Sequence, residues 1–299
     1  MGALPVDTLA IVASLCTAVL FGAEAICSKR GIEAGGTPLL ASLVVAIVSI
    51  VLYWAVVFAT IEPSSILTRS SFGIAIFLLS GTIGSGLGLI VIYEGIDRVG
   101  ASITSAITQG RPLFAAVFGF IVLSESLRAT TVTGIVVLVL GLVLISVSKG
   151  GDVRGWRRIE LTFPLAAAIA FAVGNVVRRY GLTRTDVPLL EGVGINAVGG
   201  LVVLVAYVAL TRGRGVFAAT RRSYGWFLLT GLAAAGGLFA MFFALERERV
   251  AIVDSIVATS PLITLLLAGV FLRNLERITL RVVLGAVLVV FGAILIVGM

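Results

Sequence analysis

The sequence predicts an all-α integral membrane protein of about ten transmembrane helices, arranged as two inverted five-helix repeats. Three observations predict it. The 299 residues are 59% hydrophobic and 12% charged, with a mean hydropathy of +1.17. A soluble domain carries about 25% charged residues, so this chain has too little polar surface to cover a globule in water. Its apolar residues fall into runs of roughly 20, the length that crosses a hydrocarbon core. Finally, corresponding residues recur about 150 positions apart, which makes the two halves of the chain relatives of one another.

The runs lie at roughly 8–28, 38–59, 72–94, 100–123 and 130–148, then at 161–179, 189–210, 223–245, 250–272 and 279–298. The first is preceded by no Lys or Arg and exceeds the apolar core of a signal peptide, so it is expected to stay as a span. Short loops make neighbouring helices antiparallel. The most polar inter-helix stretch, Lys149–Glu160, is the expected linker between a first repeat over 1–150 and a second over 151–299. With an odd number of spans in each half, the second half enters the membrane upside down, so Gly31 and Gly181 are expected on opposite sides.

The repeat rests on named residues. Phe21, Lys29 and Gly31 match Phe171, Arg179 and Gly181; Pro112 matches Pro261; Glu125, Gly134 and Gly141 match Glu276, Gly285 and Gly292. Inverted repeats place a binding site near the bilayer midplane, typically where helices are interrupted.

Charge and residue types narrow the function. The net charge of +7 (22 Lys+Arg, 15 Asp+Glu) falls in short clusters between apolar runs. That pattern orients a membrane protein and does not form a nucleic-acid surface. There is no histidine, which removes His catalysis and His metal ligation. Cys16 and Cys27 are too far apart on one helix to bond and are expected as small core residues. No Walker loop, HExxH, Asp-rich pair or GxSxG stands in the chain, so neither an enzyme site, nor a metal, nor a cofactor is expected. The expected partners are a small-molecule substrate and the lipid bilayer, in a multi-pass cell-membrane protein.

Three stretches carry a family resemblance: Phe21-Gly22 to Lys29-Arg30-Gly31; Tyr93-Glu94-Gly95-Ile96 followed by Ala101 and Ser102; and Pro112 to Glu125 followed by Gly134 and Gly141. Phe242 to Leu245 and Pro261 onward echo them. Across its whole length the chain resembles the drug/metabolite transporter superfamily in its EamA-type ten-helix form. The resemblance implies transport of small metabolites by alternating access, with a cavity lined by helices 1, 3, 4, 6, 8 and 9. Asn274 stands where family members close the ninth helix with Glu. The scaffold or assembly subunit is the alternative from another class, and a membrane-embedded enzyme a weaker third. The resemblance also implies cytoplasmic termini, whereas more Lys and Arg lie in the loops away from the termini, which points the other way.

The fourth and ninth helices carry the site expectations. Both begin with half-helices rich in hydroxyls and interrupted by Pro112 and Pro261, which break the helix and free the carbonyls of Thr108 and Val257. Arg111 sits at the predicted centre of its helix, where burial costs roughly 3 kcal/mol; an anionic ligand or a carboxylate partner must offset that. Gln109, Thr108, Thr104 and Ser105 are candidate lining residues beside it. Glu24 is the expected carboxylate partner and a candidate proton-coupling group; its alternative is an interfacial position near Lys29 and Arg30. Asn175 is a candidate donor and acceptor for substrate. Asp254 is expected to cap the ninth helix or to sit at the interface. Tyr93 and Phe243 are candidate pocket or belt aromatics. Glycines of the third and eighth helices are expected to let backbones approach. The Gly134/Gly141 and Gly285/Gly292 pairs form a seam either within the chain or in a homodimer.

Overall fold

A computed structural model describes residues 7–60, 68–99, 101–147, 157–211, 216–264 and 280–297. Helices run over α1 (Thr8–Glu33), α2 (Pro38–Thr60), α3 (Ser71–Val99), α4 (Ala101–Thr108), α5 (Arg111–Leu123), α6 (Ala129–Val147), α7 (Thr162–Arg184), α8 (Leu189–Thr211), α9 (Arg221–Arg247), α10 (Val250–Val257) and α11 (Leu280–Val297). α1, α2, α3, α7, α8 and α9 are each long and apolar enough to cross a membrane, and shorter apolar helices form the remaining spans. The chain is an all-α, multi-pass membrane protein. Most of the expected linker, and the departure at Asn274 and Glu276, lie outside the described residues.

Local sequence sets the helix ends. The Asp7 carboxylate accepts from the backbone N–H groups of Leu9 (2.7 Å) and Ala10 (3.4 Å), which satisfies donors that a helix start leaves open. Ser70 does the same for Gly73, and Thr220 for Ser223, each at 3.1 Å. Gly35, at φ 101°, turns the chain after α1, a conformation that side chains resist. In the loop after α7, Asp186 accepts from the Ser70 hydroxyl and backbone N–H, and these hydrogen bonds hold its carboxyl below the usual range.

The inverted duplication is visible in matched packing. Phe227 of α9 fills the space over Gly31 of α1, and Phe77 of α3 fills the space over Gly181 of α7. Phe21 likewise lies against Gly237, and Phe171 against Gly88. Each pair is the other displaced by about half the chain. The glycine seam also resolves: it lies within the chain, where α6 and α11 cross. A Cβ on Gly134 would stand 2.8 Å from the Gly292 carbonyl oxygen, and one on Gly141 2.6 Å from that of Gly285. Without a hydrophobic force between helices in lipid, such close backbone packing is a main source of association.

Two elements differ from expectation. α3 contains a π-helical segment, Gly81–Leu87, whose glycines press against α7 and α8: Gly81 meets the Asn196 backbone, and a Cβ on Gly84 would lie 3.2 Å from the Gly174 Cα. No apolar periodicity announces a π turn, which usually marks a functional region. α7 also continues to Arg184 and not to 179, so Arg178 and Arg179 lie within the helix. The cysteines correct a further expectation: Cys16 is exposed on α1 and Cys27 half-buried, because α1 turns one face outward to lipid.

Because Phe227 and Phe77 cover Gly31 and Gly181, the exposed residues Glu33 and Thr183 are the better reporters of inversion. In a cysteine-free background, Glu33→Cys and Thr183→Cys should react with an impermeant maleimide from opposite sides; same-side labelling would overturn the inverted arrangement. In the seam, Gly292→Val should lower stability by ~1–3 kcal/mol in detergent melts through overpacking. Gly225→Ala, with nothing within 4 Å of its added carbon, should not lower it; equal effects would contradict the seam.

Candidate functional site

Both expected interruptions are present at equivalent places. Between α4 and α5 the chain turns at Gln109 and Gly110, and after α10 it turns at Ala258 and Thr259. Pro112 stands in the first turn of α5, where its missing N–H leaves no bond unmade. Leu113 and Leu262 restart their helices with short-range bonds, of 3.0 Å to Gly110 and 2.9 Å to Thr259, the latter across Pro261.

Beside the first break lies a cavity of about 230 Å³. Its charged lining residues, among those described, are Glu24 of α1, Arg111 of α5 and Arg178 of α7. Ser42 and Ser49 of α2, Ser85 of α3 and Asn175 of α7 add hydroxyls and an amide. Phe21 and Phe171, a repeat-related pair, line it together with Leu204 and Met241. The lining thus comes from the first four and the sixth to eighth spans. The resemblance had implied spans 1, 3, 4, 6, 8 and 9; here α2 and α8 join, and the ninth span contributes from behind.

That contribution is Asp254, which corrects its expected role as a cap or interfacial charge. It is fully buried, and its Oδ1 lies 3.1 Å from Arg111 Nε. Asn175 Nδ2 donates to the same oxygen at 2.7 Å. Asn175 Oδ1 in turn accepts from Arg178 Nη1 at 2.6 Å. Arg178 also donates through Nε to Asn196 (3.0 Å) and through Nη2 to Ser85 (2.7 Å), and its guanidinium lies 5.6 Å over the Phe242 ring. Ser80 closes the chain by donating to Asn196 at 2.9 Å. Arg111 therefore pairs with Asp254 and not with Glu24, as the sequence had suggested. The Arg111 Nε–H is poorly aligned on its partner, and Asp254 Oδ2 is buried without a hydrogen-bond donor among the described residues. The contact is one of charge, and Arg111, one-fifth exposed, also lines the cavity.

The other candidates are placed less centrally. Thr108 folds its hydroxyl back onto the Thr104 and Ser105 carbonyls; Gln109, Thr108 and Ser105 are half-buried beside the cavity and not in its lining. Tyr93 stands one layer out, bonded to Ser42, which does line it. Phe243 lies at the end of α9 with Arg247 stacked 4.4 Å over its ring; its neighbour Phe242 is the buried one. Sequence reasoning missed Arg178, Asn196 and Ser85. Arg178 was passed over beside Arg179, the repeat match to Lys29, and α7 carries both within the helix.

The two ends of the cavity differ. A second cavity shares Phe21 and Glu24 with the first and runs along α1 past Ser28 and Lys29 to Glu33. Toward the Asp7 side, a polar cluster ties five helices. Glu125 after α5 accepts from Arg179 of α7 and from the Val250 N–H of α10 (3.0 Å). Arg249 donates to the Ser126 carbonyl (3.1 Å) and to Glu248 (3.0 Å), and Glu248 accepts from the Asp7 N–H (3.0 Å).

Comparison with known proteins agrees with this architecture. The model of the EamA-like transporter family matches residues 8–147 and again 158–298. An uncharacterized transporter of Clostridium kluyveri is 21% identical over 291 residues, covering 94% of this chain and 90% of its own. Another, of Archaeoglobus fulgidus, is 23% identical over 228 residues, covering 73% and 75%. A crystal structure of 15% identity superposes with a TM-score of 0.79 over 96% of this chain and 97% of the other, a likeness of fold. With both halves matched and the helices laid out as spans, the chain belongs to the EamA-like transporter family.

Proposed function

We propose that the protein is a secondary transporter that moves a small polar or amphipathic metabolite, amino-acid-like or an organic anion, across the cell membrane by alternating access. Arg111 holds the substrate's anionic group, and Glu24 exchanges the proton that couples transport. The observation that carries this reading is the Arg111 guanidinium: it is paired with buried Asp254 at Nε and lines the cavity. A guanidinium offers two parallel donors that match a carboxylate. The cavity leads toward the Glu33 side, and the Glu125–Arg179–Arg249 cluster bridges the Asp7 side. In the inverted arrangement, exchanging the roles of the halves moves that closure to the other face. The chemistry is passage and not catalysis.

Arg111→Lys keeps the charge but not the fork. It should leave the protein folded and weaken binding of a carboxylate substrate, found by flux screening in liposomes, by ~1.5–3 kcal/mol. Unchanged affinity would remove Arg111 from recognition. Glu24→Gln should abolish accumulation driven by a pH gradient while exchange of substrate across the membrane persists. Undiminished accumulation would remove Glu24 from coupling.

A further inference from the structure

Among the described residues, the charged groups at the centre are four. Arg111 and Arg178 are the cations, and Asp254 and Glu24 the anions. Asp254 is committed: it lies between the two arginines, touching Arg111 directly and reaching Arg178 through Asn175. Glu24 is not. It reaches the cavity from α1 with no hydrogen bond or ion pair among the described residues, and it borders both cavities. The ionisable groups that its charge reaches are Cys27 one turn along α1 and Tyr93 of α3. Lys29 shares its outer cavity, while α2 presents serines and α9 presents Ala234, Leu238 and Met241. With Glu24 ionised the empty set is neutral. Low-dielectric surroundings penalise any ligand that leaves it charged.

We propose that this set imposes a charge rule on the substrate: a monocarboxylate enters together with one proton, taken up by Glu24, whereas a zwitterion enters without one. The rule rests on the reading of Arg111 as the carboxylate anchor. A monoanion on Arg111 adds a negative charge, and neutrality returns when a solvent proton binds the Glu24 carboxylate. A zwitterion brings its own cation, an ammonium that pairs with ionised Glu24 while its carboxylate pairs with Arg111. In each case the liganded set is neutral. Two classes of substrate then share one site but differ in how their transport responds to a pH gradient.

The test uses matched probes: straight-chain monocarboxylates from acetate through octanoate, and the 2-amino acids of the same chain lengths. Titration calorimetry of the purified protein in buffers of different ionisation heat counts protons bound per ligand. As pH rises through the titration of Glu24, the monocarboxylates should come to take up about one proton each, and the amino acids none. Glu24→Gln should remove that uptake and should weaken the amino acids relative to the monocarboxylates. Equal proton counts for both series, or uptake that survives in Glu24→Gln, overturns the rule while leaving Arg111 as an anchor. Absence of binding by either series, in protein that still unfolds cooperatively, overturns the carboxylate reading itself. Should Glu24→Gln misfold, the comparison of the two series in the unaltered protein still decides.

Discussion

One buried carboxylate holds the centre of this protein together. Asp254 comes from the second repeat and is shielded from all solvent, yet it carries a full set of consequences for its neighbours. It fixes Arg111 of the first repeat at the break in the fourth span and orients Asn175, which in turn orients Arg178. Arg178 then ties α7 to Ser85 in the π segment of α3 and to Asn196 in α8. Charges within a bilayer are tolerated only in the protein interior and in partnership. A single acid thereby joins elements of both halves around the cavity. Gly84 of α3 follows from the same demand: a Cβ there would stand 3.0 Å from Arg178 Nη2.

The scaffold is symmetric, but the chemistry is not. Phe21 and Phe171, Phe77 and Phe227, and the glycine crossings of α6 and α11 recur in both halves. At the positions related to the charged groups, the other half carries different residues. Gly174 stands opposite Glu24, Ser260 opposite Arg111, Ser105 opposite Asp254 and Ser28 opposite Arg178. Duplicated packing gives the two halves matching scaffolds. The unduplicated charges gather at one cavity. The same asymmetry separates a polar cluster on the Asp7 side from a cavity path on the Glu33 side.

Much of this was legible in the sequence, for physical reasons that also mark where legibility ended. Helix length and apolar content are set by bilayer thickness, so spans emerge from composition alone. Pro112 and Pro261 announce their breaks because proline cannot sustain a helix. Arg111 announced itself because an arginine at mid-span requires an explanation. Its partner did not. Glu24 and Asp254 are both carboxylates within predicted spans, and only the packing of α10 against α5 places Asp254 3.1 Å from Arg111. Arg178 was hidden by its neighbour Arg179: two adjacent arginines look like a helix end, whereas a turn of 100° sends one to Asn196 and the other to Glu125. The π segment left no trace beyond its glycines.

The account stands on Arg111 and Asp254 behaving as one unit across the two repeats. A double-mutant cycle on Arg111→Met and Asp254→Asn, read as thermal stability in detergent, tests this most directly. Each single change strands a buried charge and should cost about 3–5 kcal/mol, while the double change should recover most of that loss. Losses that simply add in the double variant would contradict the account, because the two charges would then be held by partners other than each other.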